Sequence, residues 1–267
     1  MTTPSPTVDV QRADGVATLT LTRPQALNAL DFAMMDALVD VTREIADDAS
    51  LRVVVLRGEG RHFMAGGDIR SFEGELARAP AEREAMFTRV VDRVHAAIEH
   101  LVRMPHPLVA RVQGAVAGFG LSLLAACDLA VAADDAYFAA GYRNIGLSPD
   151  GGGTWSLPRI VGPRRAAEIL LLGARFDAPT ALRIGLVNRV VPLDRLDAEV
   201  DAIVTSLRDA PREAVRATRR LLRDSTQRTL SAQLHAEALS FGRLAARADF
   251  VEGVSAFLAK RPPSFER

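Results

Sequence analysis

A single carboxylate stands in the turn-forming run Ser148-Pro149-Asp150-Gly151-Gly152-Gly153-Thr154. Two further glycine-rich turns precede it, His62-Phe63-Met64-Ala65-Gly66-Gly67-Asp68 and Gly114-Ala115-Val116-Ala117-Gly118-Phe119-Gly120. A strand that ends in Ala-Gly-Gly lets the backbone approach a ligand closely, so the Gly67 amide could point at a carbonyl oxygen. Gly118-Phe119-Gly120 opens a predicted helix, whose free N–H groups favour partial negative charge by about 0.3–1 kcal/mol at exposed sites. Two such donors and one acid/base are nearly all that enolate chemistry requires. Taken singly, each turn has a plainer reading: a tight turn at 65–67, close packing of a buried helix at 118–120, and an aspartate bonding its own backbone at 150. Only the three together favour a site.

The other reactive residues form no rival centre. Gly114, Gly118 and Gly120 do not make GxGxxG, which argues against a dinucleotide fingerprint. His95, His100, His106 and His235 show no spacing such as HExxH, so no metal is expected. His62 reads as a surface histidine and Trp155 as packing. Ser122 lacks a GxSxG context. Glu73 and Glu75 read as part of a solvated loop. Cys127 is the one cysteine and lies in an apolar run, as a buried, inert thiol would.

The bulk properties narrow the function classes. Lys+Arg and Asp+Glu number 33 each, so no global field favours nucleic acid or an anionic membrane. A lone cysteine fits a reducing compartment, and MTTPSPTVDV has no basic segment followed by an apolar core; a cytoplasmic protein is expected. The charge-free stretch from Gly114 to Cys127 is too short to span a bilayer. With 267 residues the chain can bury a sizeable core without disulfides.

The elements that must position these turns can be read from periodicity. Val16–Leu21 alternates as a strand and Arg23-Pro24 ends it. Apolar residues recur at helical spacing from Asn28 to Ile45, with Asp31 as N-cap. Val53–Leu56 is a continuous apolar run, as in a strand covered on both faces. Residues 82–103 predict an amphipathic helix, Leu108–Val112 a strand, Leu121–Ala126 a helix and Leu129–Ala132 a strand. Pro163 opens a helix that runs through Leu172, Pro179–Ile184 is a short helix and Val187–Val191 a strand. From Leu196 to about Leu258 the pattern is helical, with breaks at Pro211 and Gly253. The expected class is α/β over residues 1–195 with a helical region over 196–267.

In combination, the motifs resemble the crotonase superfamily, the enoyl-CoA hydratase/isomerase group. The resemblance rests on Leu21 to Leu30, Phe63 to Asp68, Gln113 to Asp128, Ile145 to Gly162 and the tail Glu252 to Arg261. It implies a spiral of ββα units with a C-terminal helical trimerisation region, a homotrimer or dimer of trimers, and an acyl-CoA thioester as ligand. Coenzyme A then belongs to the substrate and no separate cofactor is expected.

Residue by residue, the resemblance assigns the enolate oxygen to the amides of Gly67 and Phe119. Phe119 stands where the family often has glycine, so its side chain must point away from the thioester or shape the acyl pocket, as Gly118 beside it would. Ala26, Leu27, Ala65, Asp68 and Ile69 match backbone positions that hold the bent CoA. Arg23 falls near phosphate contacts, though a solvated arginine is an equal reading. Phe257 and Lys260 match tail positions that reach the CoA of a neighbouring subunit, with a plain amphipathic helix as the alternative. Where a hydratase of the family has two glutamates, this chain has Ser122 and Tyr142, both poor proton acceptors near neutral pH. Its carboxylate is instead Asp150, and the stretch Ile145 to Arg159 is similar to the isomerase branch that rearranges a ring epoxide. An isomerase is therefore expected. Hydration, an aspartate nucleophile and a non-catalytic acyl-CoA binder are the rivals.

Overall fold

The computed structural model describes residues 7–265. The chain begins with a hairpin, β1 (Val8–Ala13) and β2 (Val16–Leu21), turned by Asp14 and Gly15 at positive φ. There follow α1 (Phe32–Asp47), β3 (Val53–Gly58), α2 (Pro80–Arg103), β4 (Leu108–Val112), β5 (Ala115–Ala117) and α3 (Phe119–Ala125). Next come β6 (Leu129–Ala133), β7 (Tyr137–Ala139), α4 (Gly153–Val161), α5 (Pro163–Ala167), β8 (Phe176–Asp177), α6 (Ala178–Arg183) and β9 (Arg189–Val191). Four helices complete the chain: α7 (Leu196–Asp209), α8 (Arg212–Ser225), α9 (Leu230–Ala245) and α10 (Ala248–Leu258).

One sheet has the order β1-β2-β3-β4-β6-β9, antiparallel only at β1–β2. A smaller sheet, β5-β7-β8, lies beside it. The apolar run of β3 is explained by its two covered faces. Val54 and Leu56 enter the main core with Leu38 and Leu101, while Val53 and Val55 face Leu196, Val200 and Val204 of α7. Full burial of side chains such as Leu196 and Val200 contributes about 1.5–3 kcal/mol each. Residue 195 thus marks a change of secondary-structure class, whereas the core continues into α7.

Several expectations are corrected. The first helix begins at Phe32, with the Asp31 carboxylate accepting from Met34 N at 2.8 Å. Leu27 and Asn28, placed next to the site, instead have φ near +55°, and the buried Asn28 side chain bonds Arg23 N, Glu59 O and His62 O. Gly253 does not break α10; an interior glycine costs only about 1 kcal/mol, too little to stop a helix packed against Phe265. The breaks fall earlier, before α9, where Thr229 caps the helix through Ala232 N, and at Ala246 and Arg247 between α9 and α10. Among the described residues no helix is long and apolar enough to cross a membrane.

Candidate active site

The first two glycine turns meet along one line of backbone, and the Asp150 turn joins them through side chains. Met64 N donates to Ala115 O and Ala117 N to Met64 O, so the strand end before Gly66 runs parallel to β5. Gly118 and Gly66 stand at φ +51° and +94°, a backbone conformation that favours glycine, and at Gly66 space is tight as well. A Cβ on Gly118 would lie 3.4 Å from the Gly66 Cα, and one on Gly66 would lie 3.0 Å from Ala117 O. Gly67 and Phe119 are each one residue beyond this contact. Leu30 N takes Gly66 O and Asp68 N takes Leu30 O, which leaves the Gly67 amide between them without a partner among the described residues. The Phe119 amide is likewise unbonded, as expected for the first residue of α3, whereas Gly118 N is committed to Ala139 O. The Phe119 ring packs against Gly151 beside Asp150, 3.0 Å from where a Gly151 Cβ would stand.

Gly67, Gly118, Phe119 and Asp150 line one cavity of about 580 Å³, together with Ala65, Ile69, Tyr142 and His95. Its other walls are mostly apolar, notably Phe72, Phe87 and Val91, with Thr88, Asp92 and Ser148 as polar members. Phe72 comes from the 3-10 segment Ile69–Glu75 and meets Phe87 edge-on at 5.0 Å between ring centroids. A second cavity of about 740 Å³ shares His95, Pro149 and Asp150 with the first.

Asp150 is held by neutral groups. The Tyr142 hydroxyl donates to its carboxylate at 2.6 Å, and Ser122 Oγ donates to its main-chain oxygen at 2.8 Å. Burial pushes the carboxyl above the ordinary aspartate range, and the Tyr142 hydrogen bond offsets this only in part. Burial, then the adjacent Asp150 charge, drives the Tyr142 phenol far above its ordinary range, so it acts as a donor. A desolvated carboxyl without a paired cation is suited to accept and return a proton near neutral pH.

Not every expected residue reaches this cavity. Arg23 is neither solvated nor directed at the site: its guanidinium bridges Asp31 at 3.0 Å and Asp68 at 2.9 Å and reaches Ala29 O. It staples the 28–31 turn to the first glycine turn. Ala26, Leu27 and Asp68 lie beside the cavity, not in its wall, and the amides of Ala65 and Asp68 are spent on Leu27 O and Leu30 O. Ser122 is buried behind Asp150. Phe257 at the exposed end of α10 and Lys260 in the turn after it lie outside the cavity of their own chain. His62 is half-buried and structural, its Nδ1 accepting from Ala115 N at 3.0 Å. Trp155 is exposed, with the Arg159 guanidinium 4.1 Å from its ring centroid. The Cys127 thiol is pushed strongly up by burial, in keeping with an inert role. His95 was missed: its Nε2 accepts from Gly151 N at 3.0 Å, a contact 56 positions apart that helical periodicity alone does not signal.

Residues 11–267 match the family described as Enoyl-CoA hydratase/isomerase. The chain belongs to that family. It is 35% identical to the 1,2-epoxyphenylacetyl-CoA isomerase of Escherichia coli, over 94% of this chain and 95% of that protein. It is 32% identical to the crotonyl-CoA hydratase of Syntrophomonas wolfei, over 96% of each. The crystal structure of an enoyl-CoA hydratase from Mycobacterium smegmatis superposes with a TM-score of 0.88 at 37% identity, covering 98% of this chain and 99% of that one. The fold is therefore the crotonase fold. Members of this enoyl-CoA hydratase/isomerase family carry both hydratase and isomerase names at comparable identity, so the choice between the reactions falls to the residues of the site.

Proposed function

We propose that this enzyme is an acyl-CoA isomerase that moves a double bond, or rearranges a ring epoxide, through a thioester enolate. The observation that carries this reading is Asp150: a carboxyl raised by burial, where the cavity's other acid, Asp92, is exposed, in a wall that also holds Gly67 and Phe119 with their free amides. In double-bond migration, Asp150 takes a proton from the α or γ carbon, the two amides hold the enolate oxygen, and the same carboxylic acid returns the proton at the other end of the dienolate. Such a shuttle needs no metal or redox cofactor. Ser122 and Tyr142, where the resemblance implies the paired glutamates of a hydratase, serve instead to hold Asp150. The similarity to a crotonyl-CoA hydratase supports a second reading, water addition with Asp150 acting alone.

The CoA moiety is proposed to run along residues 26–27 and 65–69, with Phe257 and Lys260 contributed by a neighbouring subunit. A trimer or dimer of trimers would cover the exposed apolar residues of α9 and α10, among them Leu230, Phe241 and Phe250. The test is a thioester panel run with wild type and Asp150→Asn. Conjugation of a 3-enoyl-CoA that disappears in the variant supports the isomerase. Water addition to a 2-enoyl-CoA favours the hydratase, release of free acid the aspartate nucleophile, and binding without turnover a non-catalytic binder.

A further inference from the structure

We propose that His95 is a positioning residue that sets the direction of the Asp150 carboxylate by anchoring the peptide unit that follows it. The assignment deepens the isomerase reading and rests on it for its kinetic consequences. The 150–151 peptide has two polar ends. Its carbonyl accepts from Ser122 Oγ at 2.8 Å and Gly153 N at 3.1 Å, and its N–H donates to His95 Nε2 at 3.0 Å. With both ends bonded, the peptide plane is fixed, and with it the Cα–Cβ direction of Asp150.

The Tyr142 hydroxyl holds the carboxylate itself at 2.6 Å, and the backbone beyond it is glycine. Gly151 and Gly152 stand at φ +59° and +75°, and a Cβ on Gly151 would meet Ser122 Cβ at 2.8 Å and the Phe119 ring at 3.0 Å. Positive φ disfavours a side chain at both glycines and Gly151 has no room for one, so polar contacts from outside the loop hold the backbone. Ser122 supplies one from α3 and His95 the other from α2, the helix whose Phe87 and Val91 line the acyl cavity. An Nε2 that accepts from an amide carries no proton, so the ring is the neutral tautomer protonated on Nδ1. In that tautomer the ring anchors the Gly151 amide.

The test compares His95→Ala, which has no acceptor, with His95→Gln, whose amide oxygen can accept from Gly151 N. On a 3-enoyl-CoA, His95→Ala is expected to lower kcat about 10–100-fold, the scale of a small misplacement of a reacting group, with KM within about twofold. His95→Gln is expected to recover most of that loss. Added to Asp150→Asn, His95→Ala should cost nothing more. Equal losses in Ala and Gln, a change confined to KM, or additive losses in the double variant would overturn the assignment. If His95→Ala does not fold, His95→Phe against His95→Gln makes the same comparison. Hydrogen exchange at the Gly151 amide separates this idea from the isomerase reading. Faster exchange in the variant lacking an acceptor supports the anchor even if no enoyl-CoA is turned over; unchanged exchange refutes it.

Discussion

Asp150 and Asp128 are carboxylates of one chain in opposite company. Asp128 accepts from Arg219 Nε at 2.6 Å and Leu108 N at 2.7 Å, and the same guanidinium satisfies the carbonyls of Leu101, Val102 and Met104 at the end of α2. Asp150 accepts from a phenol, and its neighbours are glycines, a serine and an imidazole. A cation partner fixes a carboxylate in its charged form and turns it into structure. Burial without a paired cation raises a carboxyl's pKa towards the operating pH, which suits a proton shuttle. The difference between the regions is therefore one of partner, and it should separate stability from activity when either is disturbed.

The largest expected effect is on the Asp150 side. Asp150→Asn keeps the size of the side chain and removes the proton acceptor; kcat on the thioester that wild type isomerises should fall roughly 10²–10⁴-fold. Because the ionised Asp150 is held at a cost in the fold, the same substitution should raise stability at neutral pH by roughly 0.5–2 kcal/mol in urea unfolding. A less stable Asp150→Asn would mean that the carboxylate is structural after all. On the other side, Arg219→Met should lose roughly 3 kcal/mol of stability. That is the low end for breaking a buried pair, since the Asp128 side chain keeps 32% of its exposure. Activity per folded molecule should be unchanged, and a fall in kcat at full folding would erase the contrast.

The contrast also explains what the sequence makes legible. The glycine turns and Asp150 stand out because each residue type answers a local demand: close backbone approach, positive φ, a lone acid. The β3 strand and the Asp31 cap are local in the same way. Contacts made over long separations leave no such mark. The Arg23–Asp68 bridge spans 45 positions and the His95–Gly151 bond 56, and nothing beside either residue announces its partner. The strands β5, β7 and β8 are two or three residues long, below the length at which alternation can be read. The edge strand β1 buries only Val8 of its six residues and has no apolar period to detect.

His106 sharpens the comparison within the cationic region. It is buried beside Arg216, and burial, followed by the Arg216 and Arg219 charges, lowers its pKa from 6.5 to about 4. A histidine depressed in the fold is neutral there but protonates in the unfolded chain, so its stability contribution is complete above pH 6.5 and is lost as pH falls towards 4. The loss should approach about 3 kcal/mol across that window. Urea unfolding of wild type and His106→Gln at pH 7 and pH 4.5 tests it: the stability of the variant should change less between the two. Equal slopes would place the titration elsewhere.

The smallest effect tests what the neutral partner does for Asp150. The Tyr142 hydroxyl bonds the charged form of the carboxyl and so works against burial. Tyr142→Phe removes that bond and should raise the Asp150 pKa further. The acid limb of kcat/KM, which follows ionisation of the base, should then move to higher pH, while the alkaline limb stays in place. Stability carries the same sign. The protonated carboxyl needs no such donor, so the variant should match wild type in this contribution at low pH. It should then fall behind by about 1 kcal/mol once pH exceeds the raised Asp150 pKa. An acid limb that moves downward instead would mean that Tyr142 favours the protonated acid. The carboxyl would then owe its raised pKa to its hydroxyl partner as well as to burial.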